Sequence, residues 1–370
     1  MQILRKSEWE GFKKIFGMSR KEVIKRVKES GLKGKSGSNF PTGLKWELMG
    51  KGIRYLICNA DEGEPGTFKD RFIMEKNPSL LIEGIAIASY AMDVHKAFIY
   101  LRGEYSYIKP KLERVIKQSE KYLKKINLKI NINLGAGSYL CGEETAILES
   151  IEGKRPVARQ KPPYPSDVGL YGEPTCINNV ETLANVPLIF LGKWNNKLEL
   201  YSLSGDLKNP GVYEIETGTN LKQIVSLGKP KTEPKVIYFG ASGGCIPYKK
   251  FENLSVNCKT ISERGAMLGP RSLIVCGKDR SIVEFSKIIT EFFLHESCGY
   301  CTPCREGNFR IWELLKKIEE GNGKKSDLKL MEKLAHHIGE TSYCALGSSS
   351  TTHLKCAIKY FKEEFLRLCR

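Results

Sequence analysis

Two periods alternate along the first half of the chain. Short apolar runs at Arg54–Cys58 (RYLIC), Ala97–Leu101 (AFIYL) and Lys129–Leu134 (KININL) predict strands. Between them, Pro78–Met92 (PSLLIEGIAIASYAM) and Lys109–Lys125 repeat apolar residues at helical spacing. This alternation predicts a βα sheet, mostly parallel and layered by helices. Ligands of such sheets sit in the loops beyond the carboxyl ends of the strands. From Asn195 to about Cys276 the pattern is strand-rich and punctuated by glycine, as in PGVYEIETG, KVIYFGASGG and RSLIVCG. After Arg280 the helical period returns in four stretches, on Ile282, Phe285, Ile289 and Phe292, then Ile311, Leu314, Leu315 and Ile318. The third is Leu328, Met331 and Leu334, and the last is Leu354, Ile358, Phe361 and Phe365. Four amphipathic helices predict a bundle.

Three segments place chemistry in the predicted strand-end loops. Gly31–Trp46 (GLKGKSGSNFPTGLKW) has glycines that let backbone amides approach a phosphate, with Lys35 and Lys45 supplying charge. It is not a Walker loop, because the first glycine of that motif falls on Glu29. Cys58–Arg71 (CNADEGEPGTFKDR) follows a strand and crowds Asn59, Asp61, Glu62 and Glu64 together, and Gly135–Glu144 (GAGSYLCGEE) follows another strand and opens a helical run. Each loop alone is more often a tight turn or a solvated acidic loop than a binding site; their convergence in one sheet predicts a nucleotide pocket. None of the five histidines falls in these loops, which disfavours histidine-based hydrolysis.

The cysteines add a second centre. Cys298, Cys301 and Cys304 lie in ESCGYCTPCREG and Cys344 in TSYCALGSS, a C-x2-C-x2-C triplet with a distant fourth thiol. That pattern suits a cubane iron–sulfur cluster. The competing reading is structural zinc, which more often draws on two separate C-x2-C pairs. The predicted bundle brings all four thiols to one end. Cys58, Cys141, Cys176, Cys245, Cys258, Cys276, Cys356 and Cys369 show no paired spacing and read as small apolar residues.

Composition narrows the setting. The 370 residues are 41% hydrophobic with a net charge of +17, and no apolar run is long enough for a membrane span. The amino terminus has no secretory pattern, so the expected compartment is the reducing cytoplasm, with free thiols. Lysines are spread over helical polar faces, no nucleic-acid recognition module is present, and the remaining charge suits an acidic protein partner.

Five segments in this order resemble one family: GLKGKSGSNFPTGLKW, CNADEGEPGTFKDR, YLCGEETAILESIEGKRP, KPPYPSDVGLYGEPTCINNVETLANVP and ESCGYCTPCREG. They are similar to the NADH-oxidising flavoprotein subunit of respiratory complex I, which is also the diaphorase subunit of NAD-linked and electron-bifurcating hydrogenases. The resemblance implies a Rossmann-like FMN-binding domain at 1–194, a ubiquitin-like SLBB-type β-grasp domain at 195–276, and a four-helix bundle with a [4Fe-4S] site at 277–370. It implies FMN contacts from Gly34, Lys35, Lys45, Asn59, Asp61, Glu62, Gly142, Glu143, Asn178, Asn179 and Thr182. NADH contacts fall on Phe40, Glu64, Tyr139, Glu144, Lys161 and Tyr164, as positioning residues and not as acids or bases. The cluster ligands are Cys298, Cys301, Cys304 and Cys344.

The implied activity is oxidation of NADH by FMN and one-electron transfer through the cluster to partner subunits. Expected partners are a thioredoxin-like [2Fe-2S] subunit and a further electron-accepting iron–sulfur subunit, with attachment to a membrane only through such partners. Ser36 and Asn39 stand where the family carries glycines, and Leu48 where it often carries an aromatic. These departures support an alternative, an electron-transfer or assembly subunit that keeps the cluster and has lost NADH turnover. An acidic ribose-binding loop disfavours NADPH.

Overall fold

Strands β1 (Tyr55–Ala60), β2 (Lys96–Leu101), β3 (Lys129–Leu134) and β4 (Thr175–Asn179) form a parallel sheet in the order β3-β2-β1-β4. The computed structural model describes residues 1–370, which divide into two units. The first holds 1–63 and 68–198, the second 64–67 and 199–370. Parallel strands are covered on both faces, and the first sheet obeys this. Ile57, Phe98, Tyr100 and Ile177 face a cluster with Cys141, Ile147, Leu148 and Leu170, while Leu56 and Cys58 are also fully buried.

Seven helices of the first unit matter to its site: α1 (Arg20–Glu29), α2 (Thr42–Glu47), α3 (Lys69–Lys76), α4 (Pro78–Met92), α5 (Lys109–Gln118), α6 (Ala146–Ile151) and α7 (Val180–Phe190). Helix α4 spans the predicted Pro78–Met92. Proline at its first position and the left-handed Asp93 at its end delimit it. Its buried Leu, Ile and Met side chains each contribute about 1.5–3 kcal/mol. It packs closely on α7, since a Cβ on Gly84 would stand 1.9 Å from the Leu183 carbonyl oxygen. The predicted helix over Lys109–Lys125 is interrupted at Ser119. That residue turns its hydroxyl back to the Val115 carbonyl, an alternative to continuing the helix. Strand β4 was not foreseen, because its two asparagines hide a short buried strand in a polar string.

The second unit carries a mixed sheet ordered β6-β5-β9-β7-β8, built from β5 (Leu198–Gly205), β6 (Gly211–Glu216), β7 (Pro234–Tyr238), β8 (Cys245–Pro247) and β9 (Ser272–Gly277). Strand β9 runs parallel to β5 and antiparallel to β7. Helix α8 (Leu221–Leu227), capped by the Asn220 side chain, buries Leu221, Ile224 and Val225. This is the predicted β-grasp arrangement.

The bundle follows, with α9 (Ile282–Glu296), α10 (Thr302–Glu319), α11 (Lys325–Thr341), the short α12 (Ala345–Ser349) and α13 (Thr352–Arg367). Helix α9 packs on α10 and α13, and α11 on α10 and α13, closing a four-helix ring. Its core includes Ile289, Phe293, Ile311, Leu315, Met331, Ile338, Leu354 and Phe365. His353 is also buried there, stacked on Phe293, and burial pulls its pKa down to about 4, so it is a neutral core residue. No helix is long and apolar enough to cross a membrane.

Candidate functional site

The glycine loop of the first unit closes on itself. Gly34 N–H donates to the Phe40 carbonyl and Thr42 N–H to the Leu32 carbonyl, each at 2.9 Å, and Lys33 bridges to Pro41. Inside this closure the N–H groups of Ser36, Gly37 and Ser38 donate to no group of the chain. Successive open amides of this kind form an anion-binding concavity. Lys35 lends its N–H to the Thr182 hydroxyl at 2.9 Å, which ties the loop to the first turn of α7. Its ammonium lies 5.6 Å from the centre of the Trp194 ring.

Asn39 explains how this loop survives without one of its glycines. Its φ is +52°, the left-handed region that glycine adopts freely and asparagine tolerates best among other residues. Gly37 takes φ +108°, whereas Ser36 does not need a positive φ. The departures at Ser36 and Asn39 therefore leave the path of the loop intact. Leu48, at the end of α2, is exposed.

The ends of β1 and β4 supply the floor. Asn59 Nδ2 donates to the Gly142 carbonyl at 2.8 Å and its Oδ1 accepts from Asp61 N–H at 3.0 Å. Gly142 eases this close approach, since a Cβ there would stand 3.1 Å from the Asp61 carbonyl oxygen, a tight contact. Asn178 Oδ1 accepts from the indole of Trp46 at 2.9 Å, both residues being buried. Thr182 is fully buried. These contacts bring Gly34, Lys35, Asn59, Asp61, Gly142, Asn178 and Thr182 into one framework.

Three predicted ligands have structural duties as well. Glu143 Oε2 caps α6, accepting from Thr145 N–H and Ala146 N–H at 2.8 Å. Glu62 receives Asp70 N–H on one oxygen and Arg71 N–H on the other, at 2.8 and 2.9 Å, at the start of α3. Asn179 Oδ1 caps α7 through Glu181 N–H, and its Nδ2 donates to Asp70 Oδ2.

The predicted NADH residues fall into groups. Lys45 and Lys161 both pair with Glu144, at 3.0 and 2.5 Å, and Lys161 also approaches Glu143 at 3.5 Å. Burial alone would raise the Glu144 carboxyl, but Lys45 and then Lys161 hold it down at about 2. Phe40 and Tyr164 are exposed aromatics. Tyr139 opens a 3-10 turn against Gly63, where a Cβ would stand 2.9 Å from its ring. Glu64 belongs to the second unit, where Ser242 donates its N–H and hydroxyl to Oε1 at 2.8 and 2.9 Å.

Sequence reasoning missed Trp46 as a support and missed Lys69, Asp70 and Glu181. Lys69 is fully buried, 2.8 Å from Asp70 and 3.0 Å from Glu181. The sequence carries no local signal for it: Lys69 stands between Phe68 and the charged pair Asp70 and Arg71 at the start of α3, a string that reads as solvated until its burial is seen.

In the second unit the four predicted cluster cysteines gather at one end of the bundle. Cys301 precedes α10, Cys304 lies in its first turn and Cys344 precedes α12. Burial pushes the Cys304 thiol up to about 11; Ser297 offsets part of this, and Cys301, Cys344 and Cys298 add to it by charge repulsion. Asn308 Nδ2 lies 3.5 Å from Cys304 Sγ, and the Ser297 hydroxyl 3.4 Å. Gly299 at φ +75° turns the loop between the first two cysteines. A Cβ on Gly347 would stand 3.2 Å from the Cys304 Cβ.

Comparison with known proteins agrees with both centres. Residues 27–188 match the Nuo51 FMN-binding domain, and residues 284–368 match the NADH-ubiquinone oxidoreductase-F iron-sulfur binding region. The F 2 subunit of the NADH-quinone oxidoreductase of Rhizobium meliloti (strain 1021) is 42% identical, over 93% of this chain and 88% of that protein. The corresponding F protein of Escherichia coli (strain K12) is 38% identical, over 97% and 87%. A crystal structure of an NAD+-reducing [NiFe]-hydrogenase in the H2-reduced state superposes with a TM-score of 0.93 at 33% identity, covering 98% of this chain. The chain spans 65% of that hydrogenase chain's length.

Proposed function

The chain belongs to the family of NADH-quinone oxidoreductase F subunits, and from that premise we propose how its residues divide the work of oxidising NADH with FMN and a [4Fe-4S] cluster. The observation that carries this reading is the presence in one chain of an anion cradle in the loop between α1 and α2, not at a strand end as the sequence predicts, with the amides of Ser36, Gly37 and Ser38 open, and of four gathered cysteines. When bound, FMN supplies the exchange between a two-electron hydride and the single electrons that an iron–sulfur cluster carries.

The open amides and Lys35 hold the flavin phosphate. Asn59, Asp61, Gly142 and Asn178 line the ring, and Trp46 keeps Asn178 in place through its indole N–H. The Lys45–Glu144–Lys161 bridge and the exposed rings of Phe40 and Tyr164 orient the dinucleotide. For hydride transfer these residues would supply orientation and exclusion of water, not a side-chain acid or base. Cys298, Cys301, Cys304 and Cys344 hold the cluster, with Ser297 and Asn308 beside the Cys304 sulfur.

The protein acts as a subunit of a multi-subunit oxidoreductase. Its direct partners in this reading are a thioredoxin-like [2Fe-2S] subunit and an electron-accepting iron–sulfur subunit, and any membrane association runs through them. Reconstituted protein should lose its flavin absorbance on addition of NADH. Bound FMN that NADH fails to bleach would overturn the enzyme reading in favour of the non-catalytic alternative. The subunits that co-purify identify the acceptor.

A further inference from the structure

At the start of α7 lies a buried charge cluster that hydride transfer does not use. Lys69 Nζ sits 2.8 Å from Asp70 Oδ1 and 3.0 Å from Glu181 Oε2, with all three residues buried. Asp70 and Arg71 direct their N–H groups at the Glu62 carboxylate, which is also buried, and the Tyr105 hydroxyl is 3.4 Å from Glu62 Oε2. Two carboxylates thus pair with one buried ammonium, and a third, Glu62, lies near enough to feel its charge. With all of them ionised, the cluster carries two uncompensated negative charges, and burying unpaired charge is strongly unfavourable.

The surrounding groups offer limited relief. Arg102 donates to the Glu62 backbone carbonyl at 2.8 Å, but its guanidinium also pairs with Glu104. Arg71 lies over the rings of Phe68 and Tyr105. On β1, burial and then Asp70 push the Cys58 thiol well above its usual range, so it stays neutral. A proton on one carboxylate removes half of the excess charge.

The cluster adjoins the phosphate cradle through α7. Asn179 donates to Asp70, Glu181 follows in the first turn of that helix, and Thr182 receives the Lys35 N–H of the glycine loop.

We propose that Glu62, Lys69, Asp70 and Glu181 form a proton-binding site that holds one proton at neutral pH and gives it up in alkali, so that pH sets the affinity of the cradle for a phosphate-bearing flavin. The proton comes from water on binding and goes to hydroxide on release, and no electron is exchanged. The second half of the proposal rests on the flavin assignment above; the first half does not. Burial, and then the neighbouring Asp70 carboxylate, pushes Glu62 up to about 8, and burial raises Asp70 as well. The proton belongs to the coupled cluster and not to one carboxyl.

Infrared spectra of the protein without flavin, taken between about pH 6 and about pH 10, test the first half. A protonated-carboxyl C=O band should disappear as the pH rises, and it should be absent from Glu62→Gln or from Asp70→Asn. Glu83→Gln is the control, because that buried carboxyl accepts the Phe12 N–H elsewhere in the unit and is also raised by burial. FMN titrations followed by fluorescence quenching test the second half. The dissociation constant should rise about tenfold over the same range in native protein and stay flat in Glu62→Gln. A band that vanishes only in Glu83→Gln, or no band at the acid end, overturns the proton site. A titrating band in protein that binds no FMN at any pH sustains the proton site and overturns the flavin assignment.

Discussion

Glu144 stands between Lys45 and Lys161, with one carboxylate oxygen 3.0 Å from the first ammonium and the other 2.5 Å from the second. Removing its charge leaves two ammonium groups facing each other across a partly exposed site. Glu144→Gln should raise the KM for NADH about tenfold and leave FMN content unchanged, measured by steady-state reduction of an artificial acceptor beside flavin quantification. The stability effect should be small, ~1 kcal/mol or less, because solvent screens the three groups. Since the folded-state pKa is depressed to about 2, this contribution is present above the ordinary carboxylate range and fades as pH falls toward that value.

Cys344 is separated by 40 positions from Cys304 yet contributes to the repulsion felt by its thiol. Cys344→Ala should abolish the cluster signal in electron paramagnetic resonance while NADH still bleaches the flavin. An unaltered signal in the variant means that the fourth ligand lies elsewhere.

Trp46 and Asn178 form a buried donor–acceptor pair at 2.9 Å. Trp46→Phe preserves most of the ring volume and removes the stronger donor, leaving the buried Asn178 Oδ1 only the weak Cys176 thiol at 3.4 Å, at a cost of about 1 kcal/mol. Thermal unfolding should show a lower Tm, and the fraction of protein carrying FMN should drop with it.

Asn39 tests the glycine loop in both directions. Asn39→Gly should bind FMN as the native protein does. Asn39→Val forces a β-branched residue into a left-handed backbone, with strain of about 1–2 kcal/mol, and should weaken FMN binding about tenfold. Equal affinities in the two variants would separate the loop's conformation from flavin binding.

How legible all this was depended on whether a feature was local. Helix α4 was readable because proline, apolar residues repeating at helical spacing and Asp93 mark it within one stretch. The Cys298–Cys304 triplet was readable because its spacing is itself the signal. Strand β4 was hidden because its partner β1 lies more than a hundred residues away and its asparagines look like a turn. Glu62 and Glu143 looked like ligands, and only the fold reveals that their oxygens also cap α3 and α6. The buried Lys69 could not be told from a surface lysine, because burial is a property of the whole unit and not of the string FKDR.

The four residues Glu64–Thr67 belong to the second unit although the chain enters them from the first. A Cβ on Gly66 would stand 2.7 Å from Ser272 Oγ and one on Gly240 2.5 Å from Glu64 Oε1, so this short segment is inserted tightly among residues remote in sequence. A fragment expressed from residue 199 onward would therefore lack a piece of its own interior. Ser242 would lose its acceptor and the surface around Ser272 would open to water. Supplying a peptide that spans Glu64–Thr67 is the natural complementation assay for such a fragment, and dividing the gene at the obvious boundary would not yield two self-sufficient pieces.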